Sequence, residues 1–162
     1  MKTRLVKGIM APLLGACALV TLVAAERAPR EGTQGGRIQG MWETQITLND
    51  CAGHVIRSFQ GMLTFHQGGT MMDGTTTPSA LRTPAEGVWR HVADNTYAFR
   101  MKSFTFNAQN VLTGWGIISG ELIVDETGNA FTGSSGSVQV YDPNGNLVTT
   151  VCADSVGTRF EL

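Results

Sequence analysis

The chain has 162 residues, 42% of them hydrophobic and 15% charged, with 20 glycines and a formal net charge of −1. Such a composition excludes a disordered chain and suffices for one domain with a proper core. Abundant Gly, Thr and Ser with few Lys suit short strands and tight turns better than helices.

Residues 1–25 read as a secretion signal. Lys2, Arg4 and Lys7 precede an almost wholly apolar run from Gly8 to Val23, and Val23-Ala24-Ala25 supplies small residues before polar Glu26. Pro12 and Gly15 interrupt the run, which argues against a permanent membrane anchor. An alternative boundary, Leu14-Gly15-Ala16-Cys17, has the pattern of a lipoprotein box and would anchor the chain through Cys17. Removing the signal deletes three basic residues and no acid, shifting the formal charge from −1 to −4. A mildly acidic mature chain argues against nucleic acid as a partner, and no integral membrane span remains. The expected location is outside the cytoplasm, periplasmic or extracellular.

Residues 26–37 are polar and glycine-rich, a flexible lead-in. The domain then runs over 38–162. Strand one, Ile38 to Leu48, sets Trp42, Thr44, Ile46 and Leu48 on one face and Glu43, Gln45 and Thr47 on the other, the period of two of a half-buried strand. Strand two runs from about Val55 to His66, with a bulge expected at Gly61. Strand three is about Thr70 to Thr76. Thr77 to Glu86, with Pro78 and Pro84 and no periodicity, is the one long loop expected in the domain. Strand four is about Gly87 to Val92. Strand five, Thr96 to Phe106, alternates until Phe104 and Phe106 fall out of phase, which predicts a bulge near Ser103. Strand six is Val111 to Asp125. Either its Gly114-Gly116-Ile118 face or its Trp115-Ile117 face fits the interior. Strand seven is Ala130 to Tyr141. Asp142-Pro143-Asn144-Gly145-Asn146 is the strongest turn signal. Strand eight, Leu147 to about Arg159, bends at Gly157.

Eight strands joined mostly by turns of three to five residues form an antiparallel meander, and an eight-stranded meander can close into an up-and-down barrel. A sandwich needs more long crossovers than one loop supplies. The fold expected is therefore an all-β, eight-stranded antiparallel up-and-down β-barrel with no substantial helix outside the signal. Two cysteines remain after export, Cys51 just past strand one and Cys152 inside strand eight, and they most simply form a disulfide. A register that joins them places Trp42 opposite about Thr158 to Phe160 at the other end.

Gly40-Met41-Trp42 opening the first strand, with Arg159 near the end of the last, resembles the calycin signature shared by lipocalins, fatty-acid-binding proteins and avidins. The resemblance implies that Trp42 plugs a closed barrel end under the basic side chain of Arg159, a cation–π contact worth roughly 0.5–2 kcal/mol. The chain from residue 26 also resembles a set of small exported bacterial proteins of unassigned function, through Leu63 to Thr70, Gly87-Val88-Trp89-Arg90, Tyr141 to Asn146 and Gly157-Thr158-Arg159-Phe160. Only ten residues follow Cys152, too few for the helix that lipocalins pack against the barrel.

No catalytic motif stands out, so the sequence leans away from an enzyme. His54, His66 and His91 form no metal-ligand spacing. There is no nucleophile elbow and no phosphate-cradling loop, and no cofactor is implied. Trp89, Tyr97, Phe99, Met101 and Trp115 fall on neighbouring strands and are the expected ligand-binding wall. An eight-stranded barrel is wide enough to be filled by side chains or to hold one small ligand. Gly114, Gly116, Gly133, Ser135 and Ser137 either leave room inside or relieve strain in coiled strands. The expectation is a binder of a small, largely apolar molecule. The alternatives are a barrel cyclase or isomerase using Glu121 or Tyr97, and a protein-binding module, such as an inhibitor of a secreted enzyme, acting through Thr77 to Glu86.

Overall fold

The computed structural model describes residues 36–162; the expected signal and the greater part of the lead-in lie outside the described residues. Eight strands follow in chain order: β1 (Gly40–Asn49), β2 (Val55–Phe65), β3 (Thr70–Thr75), β4 (Ala85–Ala93), β5 (Thr96–Phe106), β6 (Leu112–Val124), β7 (Ala130–Tyr141) and β8 (Leu147–Arg159). Each pairs antiparallel with the next, and β8 returns to β1, so the sheet is a closed barrel. The expected fold class is therefore the observed one.

Closure rests on the β1–β8 ladder, in which Trp42 lies opposite Arg159 and Asn49 opposite Cys152. Trp42 meets its expected partner. Cys51 does not pair directly with Cys152, because it has already left β1 with φ +65° and its sulfur reaches back to form the disulfide. That bridge ties off a loop of about 100 residues, for which chain entropy sets a ceiling near 4.7 kcal/mol.

One barrel end is plugged. Trp42 is fully buried, and its indole N–H donates to the Ile38 carbonyl at 2.7 Å. Phe131 meets it edge-on with centroids 5.1 Å apart. The Arg159 guanidinium lies 4.2 Å from the indole centroid. Its Nε donates to the Gly128 carbonyl at 2.9 Å, Nη1 to the Gln39 carbonyl at 2.7 Å and Nη2 to the Arg37 carbonyl. Gly40 is required twice over: its φ is +115°, and a Cβ there would come within 2.8 Å of Arg159 Nη1. Ile38, Phe65, Met71, Trp89, Tyr97, Leu122 and Val124 complete the buried cluster around Trp42 and Phe131.

Two expected bulges lie elsewhere. Gly61 pairs in unbroken register with Thr44 and Thr75, and the β1–β2 shift falls at Leu48/Asn49 instead. Ser103 itself pairs with Gly116 in register and points inward, 2% exposed, and the β5–β6 shift falls just beyond it, between Thr105 and Phe106. Phe104 looked out of phase because it is an aromatic on the outer face, where Lys102 covers its ring at 4.9 Å. In β7 the register shifts between Gly133 and Gly136, where Ser135 takes φ +58° and donates its amide to Asp154 Oδ1 at 3.1 Å.

The turns are held by aspartates. Asp142 Oδ1 accepts from the amides of Asn144 and Asn146, and Asp125 Oδ1 from those of Gly128, Asn129 and Ala130. A side-chain hydrogen bond from Thr127 to Asp125, and from Asn146 to Asp142, leads the effects that hold both carboxyls below the ordinary aspartate value of 3.8. A lowered folded value means that the turns' contribution to stability is present above 3.8 and is lost as pH falls through the folded values. Carboxyl NMR titration should find both groups titrating below 3.8; values at or above it would contradict the turn geometry.

Gly157 sits under the plug, and a Cβ there would come within 2.2 Å of the Phe131 ring. Gly157→Ala should therefore destabilise the barrel by about 1–3 kcal/mol through overpacking, read as a lower urea midpoint at unchanged slope.

Candidate functional site

The other half of the barrel is not filled. It encloses a cavity of about 360 Å³. Side chains converge on it from most of the strands: Ile46 and Leu48 of β1, Phe59 of β2, Phe99 and Met101 of β5, and Ile118 of β6 are among its apolar lining. Its size falls within the range of small-molecule pockets, and its lining is mostly apolar, as theirs is. The space arises by subtraction. Gly116, Ala153 and Ser155 are small where larger side chains could have stood, whereas Gly120 and Gly136 let β6, β7 and β8 approach closely, a Cβ at either coming within 3.1 Å of main chain. At Gly116 an added Cβ would find ordinary contacts only, at 3.7 Å from Ser103 Oγ and 3.8 Å from Ile118 Cδ1.

The expected wall divides into three parts. Phe99 and Met101 line the cavity. Trp89 and Tyr97 belong to the plug: Trp89 stands edge-on to Phe65 at 6.1 Å and to Tyr97 at 5.9 Å, and donates its indole N–H to the His66 carbonyl at 3.1 Å. Trp115 leaves the wall. On β6 it is Gly116, Ile118, Gly120 and Leu122 that line the cavity, while Trp115 stacks outside on Tyr141 at 5.9 Å with Lys102 Nζ 4.4 Å over its ring. Its outward place follows from the alternation of β6: Gly114 and Gly116 are buried, and Trp115 between them takes the opposite face.

Asp73 and Arg82 are polar residues that the sequence did not mark as part of a site; Asp73, expected with Glu43, Glu121 and Asp125 at an outward, solvated position, is instead buried. Asp73 is 5% exposed on β3. Arg82 donates from Nη1 to its Oδ1 at 3.0 Å and from Nη2 to its Oδ2 at 2.8 Å, a bidentate pair on the cavity wall. The Ala85 amide adds a third bond to Oδ1 at 2.8 Å. Thr77 to Glu86 is therefore not a plain loop. Thr83 N donates to the Phe104 carbonyl at 3.0 Å, Phe106 N to the Leu81 carbonyl at 2.9 Å, and Arg82 bridges to Thr105. The segment continues the wall beside β5, and the ion pair pins it from inside. The available signal was the pairing of an acid on the buried face of β3 with the one arginine of the loop.

The inward acid has little freedom for proton transfer, since Arg82 and the Ala85 amide occupy both Asp73 oxygens. Glu121 borders the cavity but is exposed on the outward face of β6. His54 bonds Asp50 in the β1–β2 turn at 2.7 Å, and His91 bonds the Asp94 carbonyl at 2.7 Å. Among the described residues no group of three or more His, Cys, Asp and Glu could hold a metal. A second concavity, about 690 Å³, lies across the outside of β8, β1, β2 and β3, bordered by Glu43, Gln45, Gln60 and Met62. These point along a surface and do not converge.

No family model matches the chain, and no curated protein matches it. Among solved structures it is similar to a redesigned β-barrel, with 15% identity over 81% of this chain and 96% of that one and a TM-score of 0.44. Among the described residues no helix is long and apolar enough to cross a membrane. The Cys51–Cys152 disulfide is consistent with an oxidising compartment.

Breaking the Asp73–Arg82 pair from the arginine side strands a buried carboxylate. Arg82→Met should cost about 3 kcal/mol or more, and Asp73→Asn combined with Arg82→Met markedly less than the single change. Denaturant melts of the parent and the two variants test this, and equal losses in the single and double variants would rule it out.

Proposed function

We propose that this chain is an exported binding protein whose barrel interior takes a small, largely apolar molecule. The observation that carries the reading is the cavity of about 360 Å³, walled by Phe99, Met101, Ile46 and Ile118 and left open by glycines at inward positions. A barrel meant only to be stable would gain by filling that space, since voids forfeit packing energy. The apolar run and small-residue boundary within residues 1–25, together with the disulfide, support export. The plug at the Trp42 end supports one-ended access: a ligand reaches the cavity from the Cys51–Cys152 end, where Leu48, Val140 and Val151 line it.

The test is to fill the site. Gly116→Leu places a side chain in the cavity, and its first atom meets no clash. The variant should be at least as stable as the parent, because Gly in a strand interior is costly and the void is reduced. With a neutral ten-carbon alcohol at about 100 times its dissociation constant, the parent should gain about 2.7 kcal/mol of stability, and Gly116→Leu should gain almost none. Calorimetry and thermal melts report both. A parent that binds no neutral apolar compound of this size, or a filled variant that binds as well as the parent, overturns the reading.

A further inference from the structure

The barrel wall is incomplete beside β2. β2 pairs with β1 from Val55 to Phe65, but with β3 only from Gly61 to Phe65. One rung follows, Thr76 N donating to the Gln60 carbonyl at 3.0 Å. Main-chain groups alternate along a strand, so Ser58 and Ile56 turn their N–H and C=O groups to the same side as Gln60. No strand of the described residues pairs with them there. The chain that could have done so, residues 76–84, has crossed to pair with β5. A gap thus separates the first half of β2 from that segment, and Arg57, Phe59, Thr75 and Arg82 on its two sides also line the cavity.

The charges around this gap do not balance. Four charged residues border the cavity: Arg57, Asp73, Arg82 and Glu121. Asp73 and Arg82 neutralise one another. Glu121 is on β6, across the barrel from β2, and faces out. Arg57 has no carboxylate partner among the described residues; its guanidinium rests 4.6 Å from the Phe59 ring centroid. Arg82 spends two of its five N–H groups on Asp73, which leaves three. One uncompensated cation, spare guanidinium donors and unpaired edge amides therefore meet at the entrance to an apolar chamber.

We propose that the ligand is an amphiphile with a single negative charge, its head in the β2 gap against Arg57 and its apolar body in the barrel. This rests on the reading of the cavity as a ligand site and adds the charge, the orientation and the point of entry. At about 30 Å³ per water-sized group, the cavity holds a body of about twelve such groups. A guanidinium that accepts a carboxylate here gains a charge-assisted hydrogen bond without first giving up a protein partner.

A matched ten-carbon set tests the idea by calorimetry on the whole protein at low salt: decanoate, decanol and decyltrimethylammonium, each below its micelle concentration. Decanoate should bind about tenfold more tightly than decanol, the increment of one charge-assisted bond, and the cation most weakly. The preference should shrink with added salt. Arg57 is exposed, so Arg57→Glu should keep the fold, abolish the preference for decanoate and raise the affinity for the cation. If decanol binds the parent as well as decanoate does, the anionic head is wrong while the cavity reading stands. If the preference survives Arg57→Glu, the head is not at the gap and the assignment falls. If none of the three binds the parent, the cavity reading falls and takes this one with it.

Discussion

The pairing of β1 with β8 is the constraint on which the rest depends. Once Trp42 to Asn49 lies along Arg159 to Cys152, eight strands form a ring and the interior has a fixed girth. The residues that seal this seam do so at both ends by different chemistry. At the plugged end Arg159 gives its N–H groups to three main-chain carbonyls and its flat face to Trp42. A cation held only by carbonyls and an indole needs no carboxylate, so no second charge had to be buried there. At the other end a covalent bridge ties the strands, and Asn49 extends the tie. Its side-chain oxygen accepts the Cys51 amide at 2.9 Å, and its amide nitrogen donates at 3.0 Å to Asp154, which in turn holds the Ser135 bulge of β7.

With the girth set, inward side-chain volume decides which half is solid. Around Trp42 the inward residues are Phe65, Met71, Trp89, Tyr97, Leu122 and Phe131, and the end is packed to the point that Gly157 must lack a Cβ. Towards the disulfide the inward positions of β6, β7 and β8 turn small, and the same ring encloses empty space. The two halves are one sheet with two fillings. Aromatic residues alone therefore could not mark the site. Most of the large ones are structural, and the cavity is marked by small residues on its wall, with Gly120 opposite Phe99 and Gly116 opposite Ser103.

Period-two alternation and turn chemistry are local, which is why the strands and the closed meander were legible in the sequence; the plug under Arg159 was legible only through the resemblance carried by Gly40-Met41-Trp42 and Arg159. Facing is not local for β6, because both of its faces carry bulky aliphatic residues; the closed ring turns Gly116, Ile118 and Leu122 inward and leaves Trp115 stacked on Tyr141 outside. Ser103 displaced the expected bulge for a related reason: a polar residue on the inner face, followed by an aromatic on the outer one, looks like a break in phase, whereas the true shift falls at Thr105/Phe106. The Asp73–Arg82 pair gave only a faint signal, because the partners stand nine positions apart with Pro78 between them in a stretch without periodicity.

That same stretch explains why the ring, though closed, is uneven. β3 is six residues long against eleven for β2, so β2 outruns its neighbour. Pro78 follows closely on β3 and Pro84 precedes β4; proline lacks the N–H that a ladder needs, so a longer β3 would have broken within a few residues. The chain instead crosses to β5, where the amides of Thr83 and Phe106 find partners, and Arg82 turns inward to Asp73. Leaving Ile56 and Ser58 unpaired is tolerable only where water or a ligand can reach them, because a buried unpaired amide costs about 1–3 kcal/mol. The lapse in the wall, the bidentate pair beside it and the access it opens to the cavity thus follow from one short strand and two prolines.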